Sequence, residues 1–142
     1  MAENSEQYFF NFSFFKVDPK WRWMADLAKE ESAKEVENII NNSKIMFRSY
    51  SNLGLRDDAD FLFWFAAPSI EEIQAVIEKL YKTVFGKYII ASMTYLSCTR
   101  PSLYVKDQKT LGFITGDNPK KHVIVYPFTK TREWYLLPKE KR

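Results

Sequence analysis

The stretch FLFWFAAPSIEEIQAVIEKL, residues 61–80, contains the two patterns that decide the fold class. Residues 61–67 are apolar without interruption, which indicates a strand that is covered on both faces. Pro68 ends this strand, and Ser69 with Glu72 matches the capping box of a following helix. Apolar residues then recur at helical spacing, at Ile70, Ile73, Val76, Ile77, Leu80 and Val84. A buried strand followed at once by an amphipathic helix predicts an α+β protein.

Two further elements are expected upstream of this stretch. Residues 8–17, YFFNFSFFKV, place aromatic side chains on one face and small polar ones on the other, which predicts a strand with one well-buried face. A helical stretch should follow to about residue 42, because Asp18 can cap a helix and Pro19 suits the first helical position. Ser32 is expected to restart the helix within this stretch.

The remaining elements complete a recognisable order. Residues 44–51 predict a second strand and 52–60 a turn, while Gly86 is expected at the C′ position of the second helix. Residues 87–98 predict a long fourth strand. The order strand, helix, strand, strand, helix, strand is that of a ferredoxin-like β-α-β-β-α-β repeat, with both helices on one face of an antiparallel sheet. The other face lacks helices, and its aromatic residues argue against simple exposure to water.

The C-terminal part is expected to begin a second unit. Residues 99–121 form a long connection, and KHVIVYPF, residues 121–128, predicts a fifth strand. Residues 137–142 resemble the first turn of a helix, so we expect the native chain to be longer. The chain therefore divides into a ferredoxin-like α+β repeat, residues 1–98, and a connection with the first strand of a second, incomplete repeat, residues 99–142.

Composition narrows the class of protein. Aromatic residues make up 17% of the 142 residues, which suggests a flat apolar ligand or a large buried interface as well as a Phe-rich core. The net charge of +3 comes without a concentrated basic stripe, so nucleic-acid binding is not expected. The single cysteine, Cys98, fits a reducing compartment. Without a signal core or an apolar run long enough for a membrane, we expect a cytoplasmic protein.

Few residues suggest chemistry by pattern alone. His122 is the only histidine and Cys98 the only cysteine of the sequence, so a four-ligand zinc site of the Cys/His kind is not expected. Tyr126 and Lys130 lie four residues apart, at the end of the predicted fifth strand and just beyond it. A phenol beside an ammonium can bind a carboxylate and pass protons or electrons to it. The structural alternative is a strand end with a solvated lysine and a core tryptophan.

Two segments resemble the chlorite dismutase-like family of haem proteins. VIVYPFTKTREWYLLP, residues 123–138, is similar to the signature of this family, which includes chlorite dismutases and bacterial coproheme decarboxylases. TRPSLYVK, residues 99–106, resembles the family segment that passes the haem propionates. The family has two ferredoxin-like repeats in tandem, of the dimeric α+β barrel type. The predicted order of elements thus resembles the family over nearly the whole chain. The specific sequence motifs are confined mainly to these two segments.

The resemblance implies roles for individual residues. Tyr126 matches the tyrosine that forms a radical at a propionate in the decarboxylases, and Lys130 matches the lysine that holds this propionate and supplies a proton. Four further residues are implied to bind the cofactor: Tyr104, Trp134, Arg100 and Arg132. The family's proximal histidine lies further along the chain than Arg142, so no metal ligand is expected among these residues.

The resemblance also implies a function for the full-length protein. It would be a haem-binding oxidoreductase, with haem b or coproheme as the porphyrin, that carries out peroxide-dependent coproheme decarboxylation in haem biosynthesis. Family members are homo-oligomers, often pentamers. Chlorite decomposition, another haem peroxidase-like activity and non-enzymatic haem handling are alternatives. A non-catalytic ferredoxin-like oligomerisation module remains open as well.

Overall fold

A computed structural model describes residues 7–99 and 120–141. Its strands and helices are β1 (Phe9–Val17), α1 (Asp26–Asn41), β2 (Met46–Ser51), β3 (Phe61–Ala67), α2 (Ile70–Lys82), β4 (Ile89–Cys98) and α3 (Arg132–Leu136). Short 3₁₀ turns span Pro19–Trp23, Phe85–Tyr88 and Lys139–Lys141. The first six elements have the predicted β-α-β-β-α-β order and the ferredoxin-like arrangement is confirmed.

The four strands form one antiparallel sheet in the order β2-β3-β1-β4. The two most apolar strands, β1 and β3, therefore occupy the centre, as the uninterrupted apolar run of β3 predicts. A register irregularity in the pairing of β1 with β4 occurs between Phe14 and Phe15. Such a bulge bends the strand and changes the direction of the side chains beyond it.

Both helices pack on the same face of the sheet. The core on that face joins β3 to the apolar stripe of α2, where Phe65 and Ile73 are almost completely buried, at 0% and 1% exposure. From α1 only the partly buried Val36, Ile39 and Ile40 pack against this core. The wide apolar stripe of α2 therefore contributes more buried area than the narrower one of α1.

Strand β1 is buried on both faces, which the sequence did not predict. Asn11 and Ser13 were expected on the less buried face, but they are 8% and 3% exposed. The Ser13 hydroxyl donates to Asn11 Oδ1 at 2.5 Å, and Ser13 Oγ lies 3.3 Å from Thr94 Oγ1 of β4. Polar groups can be buried here because they satisfy one another's hydrogen bonds.

The helical stretch that starts at Asp18 is interrupted once. Asp18 caps the first 3₁₀ turn, accepting from the Lys20 amide at 2.8 Å, as predicted. Extended backbone at Met24 then separates this turn from α1. The predicted restart at Ser32 is wrong, because Ser32 lies inside α1 and is buried. The cap at Ser69 is confirmed: its hydroxyl accepts from the Glu72 amide at 3.2 Å.

Gly86 follows the second helix but does not end it. Helix α2 ends at Lys82 with Thr83 as its cap, and Gly86 lies three residues later without a positive φ. A Cβ atom at Gly86 would overlap the Leu80 carbonyl oxygen and lie 2.7 Å from Tyr81 Cα. Glycine is therefore required by the close approach of two backbone segments, and the predicted C′ role is wrong.

The predicted fifth strand is not formed. Residues 120–131 have no regular secondary structure, although their apolar residues still alternate in burial. A strand requires a hydrogen-bonded neighbour, and this segment pairs with none of the four strands in the described part of the chain. Within residues 7–99 and 120–141, no helix has the length and apolar character needed to cross a membrane.

Candidate functional site

The sheet face opposite α1 and α2, called the open sheet face below, has a nearly continuous layer of large side chains. It is formed by Phe10, Phe12, Phe14, Met46, Arg48, Tyr50, Leu62, Trp64, Ala66, Met93 and Tyr95. Phe12 stacks on Trp64 with 5.2 Å between ring centroids. Phe14 meets Tyr95 edge-on at 6.4 Å. A broad aromatic surface of this kind suits a flat apolar ligand or a second apolar layer.

Residues 120–128 lie against the open sheet face. Val123 and Val125 pack on the cluster around Phe14 and Leu62. The residues between and after them are largely exposed, Ile124 at 88% and Tyr126 at 78%. The valines therefore anchor the segment while Tyr126 stays accessible to a ligand.

A cavity of about 480 Å³ lies between this segment and the sheet. Its lining comes from β1, β4 and the segment: Phe12, Tyr95, Leu96, Ser97, Ile124, Val125, Tyr126, Pro127 and Phe128. The volume lies in the range of small-molecule sites, and the lining is mainly aromatic and aliphatic with two phenols. The cavity therefore suits a flat apolar molecule with a polar edge.

The two residues predicted to be catalytic lie next to aromatic rings. The ring of Tyr126 stacks on Phe128, with 6.1 Å between centroids. The Lys130 ammonium lies over the Trp134 indole, 3.8 Å from the ring centroid. The structure records no hydrogen bond between the Tyr126 phenol and Lys130 among the residues it describes. Both polar groups are exposed and face solvent from the same short segment.

The predicted cofactor-binding residues are only partly described. Trp134 lies in the first turn of α3, half-buried, and the Thr131 hydroxyl accepts from its amide at 3.4 Å. Arg132 is the first residue of the same helix and is exposed. Arg100 and Tyr104 lie outside the described residues. The structure thus brings Lys130 and Trp134 together, and leaves Arg132 close to them in the chain.

Arg56, which the sequence did not single out, lies at the edge of the open sheet face. Its guanidinium is 5.0 Å from the centroid of the Phe14 ring and donates to both Asp58 oxygens, at 2.8 and 2.6 Å. These hydrogen bonds are the main cause that lowers the pKa of the Asp58 carboxyl, and they raise the pKa of the Arg56 guanidinium. Tyr95 adds a further, smaller raising contribution to the pKa of Arg56. No local pattern in the turn identifies this contact.

Two other clefts lie away from Tyr126. Lys120 and Lys121 line a cleft of about 420 Å³ beside β2, together with Arg48. This cleft concentrates positive charge, as expected for a region that meets anionic groups. A cavity of about 510 Å³ lies between α1 and the sheet and is lined by residues that include Trp21 and Phe85. None of the residues predicted to be functional lies in that second cavity.

The described residues fit part of a haem molecule. The mainly apolar cavity suits a porphyrin ring, and Lys130, two residues after the last residue that lines the cavity, has the charge that a propionate carboxylate requires. Among residues 7–99 and 120–141 no group of three histidine, cysteine, aspartate or glutamate side chains could hold a metal. His122, the single histidine of the sequence, is exposed. The fit therefore concerns the ring and its carboxylates, and no iron ligand is assigned here.

Comparison with known proteins identifies the family. The family model described as chlorite dismutase matches residues 29–142. The chain is 31% identical over 144 residues to the coproheme decarboxylase of Mycolicibacterium smegmatis, covering 99% of this chain and 62% of the relative. The chain belongs to the chlorite dismutase family, as the segments at 99–106 and 123–138 predicted.

Solved structures agree on the fold. The chlorite dismutase of Candidatus Nitrospira defluvii in complex with imidazole matches with a TM-score of 0.74 and 23% identity, covering 97% of this chain and 60% of that one. A haem-binding protein from Thermus thermophilus matches with a TM-score of 0.54 and 17% identity, covering 66% and 40%. The chain therefore spans about three fifths of the length of the relatives that it matches over almost its entire length.

Proposed function

We propose that the full-length protein is a haem-dependent oxidoreductase that removes carboxyl groups from iron coproporphyrin with peroxide. The observation that carries this proposal is the position of Tyr126, which is accessible at a cavity of about 480 Å³ with Lys130 four residues away. The similarity to a protein named coproheme decarboxylase supports the substrate class. A bound iron porphyrin would supply the redox chemistry, and the protein would supply orientation and electrostatics.

In this proposal Tyr126 acts on the propionate side chain of the substrate. Its phenol, after losing one electron and its proton, takes a hydrogen atom from the propionate, which then loses CO₂ and a second electron to become a vinyl group. For each propionate, one H₂O₂ accepts the two electrons and, with two protons, becomes two H₂O. The Lys130 ammonium holds the carboxylate near the phenol and supplies a proton.

The aromatic lining of the cavity has a separate task. Phe12 and Tyr95 form a wall from the sheet, and Phe128 stacks on the ring of Tyr126. These contacts restrict the phenol to a few orientations and exclude water from one side of a ligand. Because these ring contacts already orient the Tyr126 phenol, less entropy is lost when it reaches the geometry required for reaction with a propionate.

The first experiment is a titration of the full-length protein with iron coproporphyrin III, followed by peroxide. Absorbance should show a shifted Soret band on binding, and mass spectrometry should show the stepwise loss of two CO₂ units. Binding without loss of mass would contradict the decarboxylase proposal and favour haem handling or chlorite chemistry. Absence of binding would favour a non-catalytic module that only assembles homo-oligomers.

Replacing Tyr126 tests its assigned role. Tyr126→Phe removes the phenolic hydroxyl and keeps the ring that stacks on Phe128. We expect porphyrin affinity to stay within about two-fold and decarboxylation to fall below detection, because the oxidisable group is gone. Tyr135→Phe is the matched control, since Tyr135 is 59% exposed in the same region and has no role in the proposal. Decarboxylation that persists in Tyr126→Phe would remove Tyr126 from catalysis.

We also propose a cellular compartment and an oligomeric state for the protein. A single cysteine is compatible with the reducing cytoplasm, where we place the protein. We propose a homo-oligomer, with a pentamer as the form that the family resemblance implies. Light scattering of the full-length protein would give its mass in solution and test this assembly directly.

A further inference from the structure

The Lys130 side chain is held by an aromatic ring. Its Nζ lies 3.8 Å from the centroid of the Trp134 indole. A cation within about 6 Å of a ring centroid is attracted by the negative face of the ring, and tryptophan provides the strongest such face. Trp134 lies in the first turn of α3, and helical side chains point back towards the N-terminus of their helix. The indole therefore points towards Lys130, the residue before the helix cap Thr131.

The orientation of the indole is itself restrained. The Thr131 hydroxyl accepts from the Trp134 amide at 3.4 Å and starts α3 at this point. The ring of Tyr135 meets the indole edge-on, with 5.2 Å between centroids. Trp134 is also half-buried, whereas its neighbours in α3 are exposed. The indole is thus the least exposed side chain of the short helix and contacts a second ring at its edge.

No carboxylate in the described part of the chain competes for Lys130. The ion pairs Lys29–Asp26, Arg56–Asp58 and Lys82–Glu78 all lie elsewhere and none of them involves Lys130. Glu133 is the acidic residue closest to Lys130 in sequence, and its carboxylate is engaged at the start of α3. Hydrogen bonds from its own backbone amide and from Thr131 lower the pKa of Glu133. Within residues 7–99 and 120–141, Lys130 is therefore oriented by an aromatic ring and not by a carboxylate.

We propose that Trp134 is a positioning residue that acts through Lys130. An indole face fixes the direction of the ammonium, yet it leaves the full positive charge for an incoming carboxylate. A glutamate or aspartate in its place would fix the direction as well but cancel the charge. This inference rests on the proposed function, in which Lys130 holds a porphyrin carboxylate, and it assigns Trp134 a role that needs no contact with the porphyrin.

A double-mutant cycle in the full-length protein tests this coupling. The probes are iron coproporphyrin III and its tetramethyl ester, titrated in the same detergent-containing buffer. Trp134→Leu should weaken binding of the acid roughly two- to five-fold, as expected for an exposed cation–π contact. Lys130→Met should weaken it roughly ten-fold or more, because a charge-assisted hydrogen bond is lost. Adding Trp134→Leu to Lys130→Met should cause no further loss.

Binding of the tetramethyl ester shows whether Trp134 acts through Lys130 or contacts the porphyrin ring directly. The ester has no carboxylate, so its affinity should be unchanged in both variants. Trp134→Phe should recover part of the lost affinity for the acid, because phenylalanine keeps a weaker ring face. Trp23→Leu is the matched control, since Trp23 is 88% exposed and distant in sequence, and it should change neither affinity. Equal losses for acid and ester in Trp134→Leu, or additive losses in the cycle, would overturn the proposal.

A measurement without ligand separates this inference from the proposed function. In the free protein, the ring current of Trp134 should shift the Lys130 side-chain protons upfield in NMR spectra, and Trp134→Leu should abolish the shift. If this shift is present but the porphyrin does not bind, the proposed function fails while the contact stands. If the shift is absent from the unmodified protein, the positioning role is wrong whatever the porphyrin does.

Discussion

Single residues in this fold can be constrained by backbone contacts that hydrophobic periodicity does not show. Gly86 illustrates this, because the backbone of α2 lies where its side chain would be. The surrounding turn is closely tied: Thr83 donates to the Leu80 carbonyl at 2.6 Å and accepts from the Gly86 amide at 2.9 Å. A methyl group at residue 86 would therefore require the backbone and these two hydrogen bonds to shift.

Gly86→Ala should therefore destabilise the protein through steric overlap. We expect the free energy of unfolding to fall by about 1–3 kcal/mol, the range for overpacked sites. Lys87→Ala, at an exposed neighbouring position, is the control and should change it by less than about 0.5 kcal/mol. Urea denaturation measures both values, and equal stability of the two variants would show that the turn relaxes freely.

Helix α1 depends on polar ties at the scale of elements, because it contributes few buried side chains. Ser32 is its one buried residue, and its hydroxyl accepts from the Phe85 amide at 2.8 Å. Glu35, one turn later, accepts from the Val84 amide at 3.2 Å. These bonds attach α1 to the turn between α2 and β4. They explain why a serine that resembles a helix start lies in the middle of a helix.

Ser32→Ala should loosen this attachment. The Phe85 amide loses its acceptor in a partly buried place, which costs about 1–3 kcal/mol of unfolding free energy. Hydrogen exchange should show faster exchange at Phe85 and along α1, with the sheet amides little changed. Ser49→Ala, an exposed serine on β2, provides the matched control. If amide hydrogen exchange at Phe85 and along α1 is equally slow in Ser32→Ala and in the unsubstituted protein, the hydroxyl of Ser32 does not stabilise this attachment.

The whole molecule is organised around a sheet with two different faces. The helices cover one face, and the segment 120–128 covers part of the other through Val123 and Val125. This contact places Tyr126 beside Phe12 and Tyr95, which come from the two ends of the ferredoxin-like repeat. The candidate site therefore depends on a contact between residues about 30 to 110 positions apart in sequence.

Val125→Asp should detach this segment from the open sheet face. A carboxylate cannot be buried against Phe14 and Leu62 without a large desolvation penalty, so the segment should leave the sheet. We expect faster proteolysis within residues 120–128 and loss of porphyrin binding. Ile124→Asp changes the adjacent, 88% exposed residue and should leave the proteolysis rate unchanged. Equal proteolysis of both variants would show that the valines do not anchor the segment.

The sequence by itself determined the order of the first six elements, the ferredoxin-like topology and the family. Hydrophobic periodicity and capping residues such as Ser69 act within a few positions, so local patterns are enough to find them. The motif around Tyr126 and Lys130 is likewise contiguous, and it locates the candidate site along the chain. The proposed roles of these two residues stay predictions.

Only the tertiary structure decided which distant residues meet. It placed Phe12 and Tyr95 at the cavity beside Tyr126, and Arg56 over Phe14. It also shows that Asn11 is buried and that residues 121–128 pair with no strand in the described part of the chain. Glycine is required at position 86 because a side chain there would overlap the backbone of α2. Each of these outcomes depends on a partner supplied by another element, and periodicity along one segment carries no information about that partner.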